Sequence, residues 1–152
     1  MARGRAYNPL IRNVQRFAAK LHVALFKRTN GRLGGRMLGS PVLVLVTRGR
    51  RTGALRETPL LYLDVDGDRT GDLAVVASNG GTAGHPAWYL NLMAQGRAEV
   101  IAAGERFPVV ARLVEGRSRH ELWQRLVAMY PSYADYQRKT DRTIPVVLLK
   151  RV

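Results

Sequence analysis

The chain has 152 residues, the size of one domain, and a hydrophobic content of 46%, as in ordinary globular proteins. Its charge is unusual, because 25 Lys and Arg residues against 11 Asp and Glu residues give a formal net charge of +14. This excess predicts an anionic partner such as nucleic acid, a membrane surface or a polyanionic small ligand. The absence of cysteine excludes disulfides, thiolate metal sites and cysteine nucleophiles.

The sequence shows neither a secretory signal nor an apolar run long enough to cross a bilayer. We therefore expect a cytoplasmic protein that is either soluble or attached to the inner face of the cell membrane.

The first predicted element is an amphipathic helix over residues 8–27, which begins with an Asn-Pro pair suited to an N-cap and a first turn. Apolar residues recur at helical spacing, while basic residues such as Lys20 stay off the apolar face. Such a helix can pack on the domain or rest on anionic lipid, and both interpretations stay open. A glycine-rich loop follows over residues 30–40. We therefore expect an N-terminal segment, 1–40, joined to a cofactor-binding domain, 41–152, as one domain overall.

Six short stretches then have β-strand character. An Asp66-Gly67 pair predicts a turn between the second and third stretches, and Gly104 predicts a hairpin turn between the fourth and fifth. The predicted strands cover residues 42–47, 58–65, 73–78, 98–102, 106–114 and 144–150.

Two helical stretches interrupt these strands. The first begins near His85-Pro86, and the second begins at Ser118, where Glu121 completes a capping box. Pro131 ends the second helix and can open a short third one. Short strands joined mostly by hairpin-length links predict a mainly β fold, an antiparallel barrel with helical additions.

The segment 47–59 (TRGRRTGALRETP) has the composition of an anion-binding turn. Gly49 and Gly53 permit a concave turn of backbone N–H groups, and the arginines add forked donors suited to phosphate oxygens. Its spacing matches neither a P-loop nor a dinucleotide fingerprint. The residues alone leave three interpretations open: a solvated basic hairpin, an anion-binding loop or a nucleic-acid contact.

A second segment, 78–91 (SNGGTAGHPAWYLN), joins a strand end to a helix start. Backbone N–H groups at both places can reach an anion or a planar heterocycle, with Trp88 and Tyr89 as walls. The alternative is a plain connection whose aromatic residues fill the core. His85 is interpreted as a helix cap, and because the three histidines lie in unrelated contexts we expect no metal site.

Three tyrosines, Tyr130, Tyr133 and Tyr136, recur every three residues around a proline. Such a stripe commonly belongs to a core. Next to a pocket, amphipathic tyrosines would instead hold a flat apolar acceptor and donate a hydrogen bond or a proton. Neither a catalytic triad nor a paired-carboxylate pattern is visible, so an enzyme made of these residues would take its hard chemistry from a cofactor.

Together, three motifs resemble the deazaflavin-dependent nitroreductase family of actinobacteria, whose members are quinone reductases that use coenzyme F420. The motifs are TRGRRTGALRETPLLYL, VVASNGGTAGHPAWYLNL and MYPSYADYQRKTDRTIPVV, in this order. The resemblance implies a split β-barrel, similar to that of FMN-binding proteins, and an oxidoreductase that passes a hydride from reduced F420 to a quinone or nitro-aromatic acceptor. It also implies membrane association, which would suit the basic N-terminal helix.

The resemblance further implies a set of site residues. The cofactor's phosphate and acidic tail would be held by Arg50, Arg51, Thr52 and Arg56, with Glu57 and Thr58 beside them. The deazaflavin ring would be lined by Val76, Ala77, Ser78 and Asn79. The start of the following helix would complete the pocket through Ala87, Trp88, Tyr89, Leu90 and Asn91. The acceptor side would be shaped by Tyr130, Tyr133 and Tyr136 with Ser78 and Tyr62, and Tyr133 or Ser78 is the candidate proton donor or orienting group.

Two departures from the family pattern bear on these assignments. Arg51 stands where relatives often carry lysine, which keeps the charge but alters the donor geometry. Asn79 stands where some nitroimidazole-activating members have lysine, so the sequence favours quinone reduction over nitroimidazole activation.

Other functions stay open as alternatives. One is a non-catalytic carrier of F420 or FMN, although the arginine-rich segment suits the more anionic F420 better. Another is a nucleic-acid-binding module, but the chain lacks motifs that read RNA or DNA, so we expect no nucleic-acid partner.

Overall fold

The computed structural model describes residues 39–68 and 71–152, together with Lys20, Ala24, Arg36 and Met37. The predicted helix 8–27 therefore lies outside the described residues apart from Lys20 and Ala24, and so does most of the predicted loop 30–40. In chain order the described elements are β1 (Arg36–Met37), β2 (Ser40–Arg48), β3 (Leu55–Leu61), β4 (Leu63–Asp64), β5 (Leu73–Val76), a 3-10 turn (Asn79–Gly81), α1 (Ala87–Gln95), β6 (Arg97–Ala102), β7 (Glu105–Val114), α2 (Gly116–Met129), α3 (Ser132–Arg138) and β8 (Val146–Arg151).

The eight described strands form one curled, wholly antiparallel sheet, and this confirms the predicted split barrel with helical additions. The strand order is β1-β2-β6-β7-β8-β5-β4, with β3 beside β2. All six predicted strands are present. The predicted turn at Gly104 is also confirmed, since Ala103 and Gly104 both have positive φ, 49° and 81°, as a tight hairpin requires.

The central strand β2 explains why its sequence is apolar without alternation. Leu43 and Leu45 belong to the main core, inside the curl of the sheet. Val44 and Val46 point to the opposite face, where they are also buried and pack with Ile101. A strand covered on both faces needs apolar residues at every position.

A second core lies where α2 and α3 cover one end of the sheet. Leu122 and Leu126 of α2 pack with Val146 and Ile144 at the start of β8 and with Tyr133 of α3. This packing holds α3 beside the end of β5.

Two local predictions are wrong. The predicted loop 30–40 contains strand β1, which pairs with the start of β2. The capping box at Ser118 does not form, because α2 begins earlier, at Gly116 with φ of 62°, and its N-cap residue is Glu115 without a side-chain cap. Ser118 thus lies inside the helix, and Glu121 instead accepts a hydrogen bond from Arg117 at 3.2 Å. Within the described residues, no helix combines the length and the apolar character that a bilayer span requires.

Candidate functional site

A cavity of about 910 Å³ lies between the β2–β3 hairpin and the start of α1, and we call it the basic cavity. Nine of the predicted cofactor-binding residues line it: Arg50, Arg51, Thr52, Arg56, Glu57, Thr58, Ala87, Trp88 and Asn91. Residues from two separate sequence motifs therefore meet around one space.

The hairpin that carries the arginines is closed by its own backbone. Gly49 N–H donates to Ala54 O at 2.8 Å, and Gly53 N–H donates to Gly49 O at 2.8 Å. Gly53 has φ of 70°, a conformation that favours glycine, and a Cβ at Gly49 would lie 2.8 Å from Thr52 Oγ1, so a larger residue there would displace the Thr52 side chain. With the turn fixed in this way, the arginine side chains are exposed to solvent.

Asn91 has a supporting role that its sequence position did not reveal. Its side chain is only 5% exposed, and its Oδ1 accepts hydrogen bonds from Arg50 N at 3.1 Å and from Arg50 Nη1 at 3.0 Å. A guanidinium has five N–H donors, so Arg50 retains donors for a ligand after this contact. Asn91 thus fixes the hairpin to α1 and orients Arg50.

The electrostatics of the basic cavity favour anions. Four cationic side chains, Lys20, Arg50, Arg51 and Arg56, line it together with one carboxylate, Glu57. Within the described part of the chain, neither Arg51 nor Arg56 has a carboxylate within ion-pair distance. Sequence reasoning missed Lys20, although its place off the apolar face of the predicted helix was a signal.

The predicted ring-lining residues lie outside the lining of the basic cavity, at the end of β5. Val76 and Ala77 are buried, whereas Ser78 and Asn79 are partly exposed. Ala77 N–H donates to Pro145 O at 2.9 Å, which ties this strand end to the start of β8. Asn79 has φ of 47° and its Nδ2 donates to Gly84 O at 3.0 Å.

In α1, the predicted pocket residues divide between cavity and core. Tyr89 is buried and meets Trp88 edge-on at 6.2 Å between ring centroids, and Leu90 packs against the main core. Neither Tyr89 nor Leu90 lines the basic cavity, whereas Trp88 does.

The interpretation of His85 as a helix cap is wrong. Pro86 occupies the N-cap position of α1, and the cap has no side-chain hydrogen bond. The ring of His85 instead lies 4.9 Å from that of Tyr89, and its Nδ1 is 3.2 Å from Arg142 Nη1. Burial, with the nearby Arg142 charge second, lowers the pKa of His85 below its ordinary value, so the ring is neutral at pH 7.

The three tyrosines form one cluster. The hydroxyls of Tyr130 and Tyr136 are 3.2 Å apart, and the rings of Tyr130 and Tyr133 meet edge-on at 4.9 Å. Tyr133 is 5% exposed and belongs to the second core. Burial raises the pKa of Tyr133 well above its ordinary value, and Tyr130 and Tyr136 add to this effect. Tyr133 therefore remains protonated, and it is a better hydrogen-bond donor than acid.

The predicted ring-lining segment lies beside the tyrosine cluster, because Val76 belongs to the second core together with Tyr133. A Cβ on Gly81, which has φ of 77°, would lie 2.6 Å from Tyr136 O. The 3-10 turn thus packs on the backbone of α3, which brings Ser78 and the tyrosines to one region. Tyr62 packs against the main core, whereas the three tyrosines belong to the second.

Comparisons with known proteins identify the family of the chain. The family model for F420H(2)-dependent quinone reductase matches residues 18–151. Proteins of Mycobacterium tuberculosis and Mycobacterium bovis that are named for F420H(2)-dependent quinone reductase activity are 39% identical over 135 residues, which is 87% of this chain and 89% of theirs.

Two solved structures share the fold. A structure of an F420-H2 dependent reductase, FDR-A, matches with a TM-score of 0.65 at 37% identity, over 76% of this chain and 98% of that chain. A structure described as a domain-swapped dimer matches with a TM-score of 0.67 at 35% identity, over 86% of this chain and 94% of that chain.

Proposed function

Because this chain belongs to the F420H(2)-dependent quinone reductase family, an oxidoreductase family, we propose that it transfers a hydride from reduced coenzyme F420 to a quinone. The observation that carries the proposal is the basic cavity, in which four cationic side chains and one carboxylate surround one space. F420 carries a phosphodiester and several glutamates, so its negative charge suits this lining.

The donor set and the size of the cavity both fit such a ligand. A volume of about 910 Å³ lies near the top of the usual range for small-molecule sites, about 300–1,000 Å³. Arg51 and Arg56 would bind the phosphate and acidic tail, and Arg50 would do so from the orientation set by Asn91. Glu57 is the one unfavourable group for an anion, and Lys20 offsets its charge.

When bound, F420 supplies the hydride. The protein positions the acceptor beside it and supplies the proton that completes the quinol, with Ser78 or Tyr133 as the candidate donor or orienting group. We place the ring at the end of β5, against Val76, Ala77, Ser78 and Asn79. The acceptor would lie against the tyrosine cluster, where Tyr130 and Tyr136 present paired hydroxyls and Tyr133 a protonated one.

A nitro-aromatic compound is flat and apolar like a quinone, so we extend the proposal to nitro-aromatic acceptors. Asn79 lacks the positive charge of the lysine that some nitroimidazole-activating members carry at this position, and we therefore expect quinones to react faster. Contact with the membrane, where lipid quinones reside, would come from the predicted N-terminal helix.

The first experiment is a titration of the protein with oxidised F420 and separately with FMN, followed by intrinsic fluorescence at low and moderate salt. Micromolar or tighter F420 binding that weakens with salt and with Arg51→Ala supports the proposal. Loss of one charge-assisted contact weakens binding by about 10- to 100-fold. Binding of FMN in place of F420 would assign the cavity to a flavin, and binding of neither would refute a cofactor role. Oxidation of reduced F420 by a menaquinone analogue then tests the reaction.

The acceptor assignment has its own test in Tyr133→Phe. This change removes one hydroxyl from the second core and leaves the basic cavity untouched. We expect quinone turnover to fall by about tenfold or more, with F420 affinity nearly unchanged. A large loss of F420 binding would remove Tyr133 from the acceptor side.

A further inference from the structure

Arg142 lies in the connection between α3 and β8, and it binds one segment with nearly all of its donors. Its Nη2 donates to Ser78 O at 2.7 Å, its Nη1 to Ala77 O at 3.2 Å and its Nε to Thr82 O at 3.0 Å. Its Nη1 also lies 3.2 Å from His85 Nδ1. All four acceptors belong to residues 77–85, the connection between β5 and α1.

These acceptors flank a backbone conformation that needs support. Asn79, Gly80 and Gly81 have successive positive φ values of 47°, 64° and 77°. Such a left-handed run costs free energy at Asn79, which carries a Cβ. Two of the acceptors precede the run and two follow it, so Arg142 holds both of its ends together.

An arginine is suited to this task because its planar guanidinium directs several N–H groups at fixed angles. Within the described residues, no carboxylate lies at ion-pair distance from Arg142. Carbonyl dipoles therefore compensate its partly buried charge, and burial lowers the pKa of Arg142. A lysine, with one donor nitrogen, could not reach the same set of acceptors.

The contact with His85 extends this arrangement to α1. A guanidinium only donates, so His85 Nδ1 must accept, and the neutral ring carries its proton on Nε2. The same ring packs against Tyr89 of α1. The first residues of that helix, Ala87 and Trp88, line the basic cavity.

We propose that Arg142 is a positioning residue, which fixes the end of β5 relative to α1. It also links both to α3, because Gln137 Nε2 of that helix donates to Arg142 O at 2.8 Å. The catalytic consequence rests on the proposed function, because the end of β5 is the part that we expect to face the cofactor ring. Arg142 would then set the distance for hydride transfer, while the arginines of the β2–β3 hairpin, which Arg142 does not contact, hold the cofactor's acidic tail.

We call the contacts of Arg142 with residues 77–85 the Arg142 clamp. This clamp can be tested without cofactor, through the NMR signals of the His85 ring nitrogens in the protein alone. The variants are Arg142→Met, the conservative Arg142→Lys and the control Arg125→Met. Arg125 also donates to a backbone carbonyl, Val65 O at 2.8 Å, but in a turn without site residues. We expect Arg142→Met to change the Nδ1 shift and to raise the pKa of His85 towards its ordinary value. Arg125→Met should leave both unchanged.

The catalytic consequence is tested by measuring turnover and F420 affinity separately. A misplacement of about 1 Å can reduce turnover by about 100-fold. We expect Arg142→Met to lower kcat by about 10- to 100-fold while the Kd for F420 changes by less than about threefold, because the arginines of the β2–β3 hairpin are untouched. Arg142→Lys should recover part of the lost turnover, and Arg125→Met should behave as the wild type.

Unchanged His85 signals in Arg142→Met would overturn the Arg142 clamp. Turnover equal to that of the wild type in Arg142→Met would overturn the proposed effect of Arg142 on catalysis. Equal losses of kcat and F420 affinity in Arg142→Met and Arg125→Met would indicate general destabilisation and would also overturn it. If Arg142→Met does not fold, the same two measurements on Arg142→Lys decide. If the wild-type protein neither binds F420 nor reduces quinones, the proposed function fails, while the His85 signals still decide the clamp.

Discussion

The basic cavity differs from the tyrosine region, by which we mean the tyrosine cluster together with the end of β5, in how exposed its residues are and in what holds them in place. The basic cavity consists mainly of exposed side chains on a hairpin that closes on its own backbone. The tyrosine region consists of the buried ring of Tyr133, the half-buried rings of Tyr130 and Tyr136, and the end of β5, whose backbone is held by distant residues such as Arg142. One part of the proposed site is thus separable from the core, and the other is part of it.

This difference suits the two tasks that we assign. Recognition of an anionic tail tolerates mobile side chains, because charge attraction acts over several ångströms and weakens with salt. Hydride transfer depends on short distances, which buried contacts fix better than solvated ones. Changes in the basic cavity should therefore alter affinity, whereas changes in the tyrosine region should alter turnover or stability.

The largest effect is expected for Gly81→Ala, which tests whether the tyrosine region is as tightly packed as the geometry indicates. Ala would need φ near 77° and would place Cβ 2.6 Å from Tyr136 O, so either α3 or the 3-10 turn must move. We expect a loss of about 2–4 kcal/mol in the free energy of unfolding, measured with denaturant.

Gly84→Ala is the matched control for this change. It lies in the same connection, and a Cβ there would meet no atom within 4 Å. Similar stabilities of the two variants would show that contact with α3 does not constrain the turn.

A smaller effect is expected for Asn91→Leu, at the point where the core supports the basic cavity. This change leaves Arg50 N–H and one guanidinium N–H without their acceptor, which costs about 1–3 kcal/mol. In Asn91→Leu, both F420 affinity and the free energy of unfolding should fall, whereas in Arg51→Ala only F420 affinity should fall. Arg50→Ala in the Asn91→Leu background should add little further loss of affinity, and full additivity would show that Asn91 does not orient Arg50.

Much of this arrangement could be predicted because its signals are local. The run 42–47 gave β2, and the arginine hairpin and the tyrosine stripe each lie within a short stretch of chain. The unpredicted features join residues that are distant in sequence, such as Arg142 and Ser78, which are 64 positions apart. The capping box predicted at Ser118 is a local motif, yet it does not form, because the helix begins two residues earlier, at Gly116.

Lys20→Ala should have a smaller effect, and it tests whether the basic cavity extends beyond its hairpin. Lys20 is exposed, so its loss should weaken F420 binding by only about two- to fivefold, and less at high salt. Arg117→Ala on α2 removes the same charge outside the cavity and controls for the net charge of +14. Equal losses in the two variants would mean that long-range attraction, not position, explains the effect.

The smallest effect is expected from the titration of His85, which joins the two regions. The groups that contact the His85 ring are Arg142 and the Tyr89 ring, and the pKa of His85 in the folded protein lies below the ordinary value of 6.5. As the pH falls below 6.5, the unfolded chain therefore binds more protons at His85 than the folded chain does. The stability contributed by neutral His85 is fully present above that pH and is lost as the pH falls through the folded pKa. In denaturant unfolding at several pH values, His85→Gln should flatten this acid-side decline, whereas replacement of the exposed His120 of α2 serves as the control. An identical decline in wild type and His85→Gln would show that protonation of His85 does not oppose its contact with Arg142.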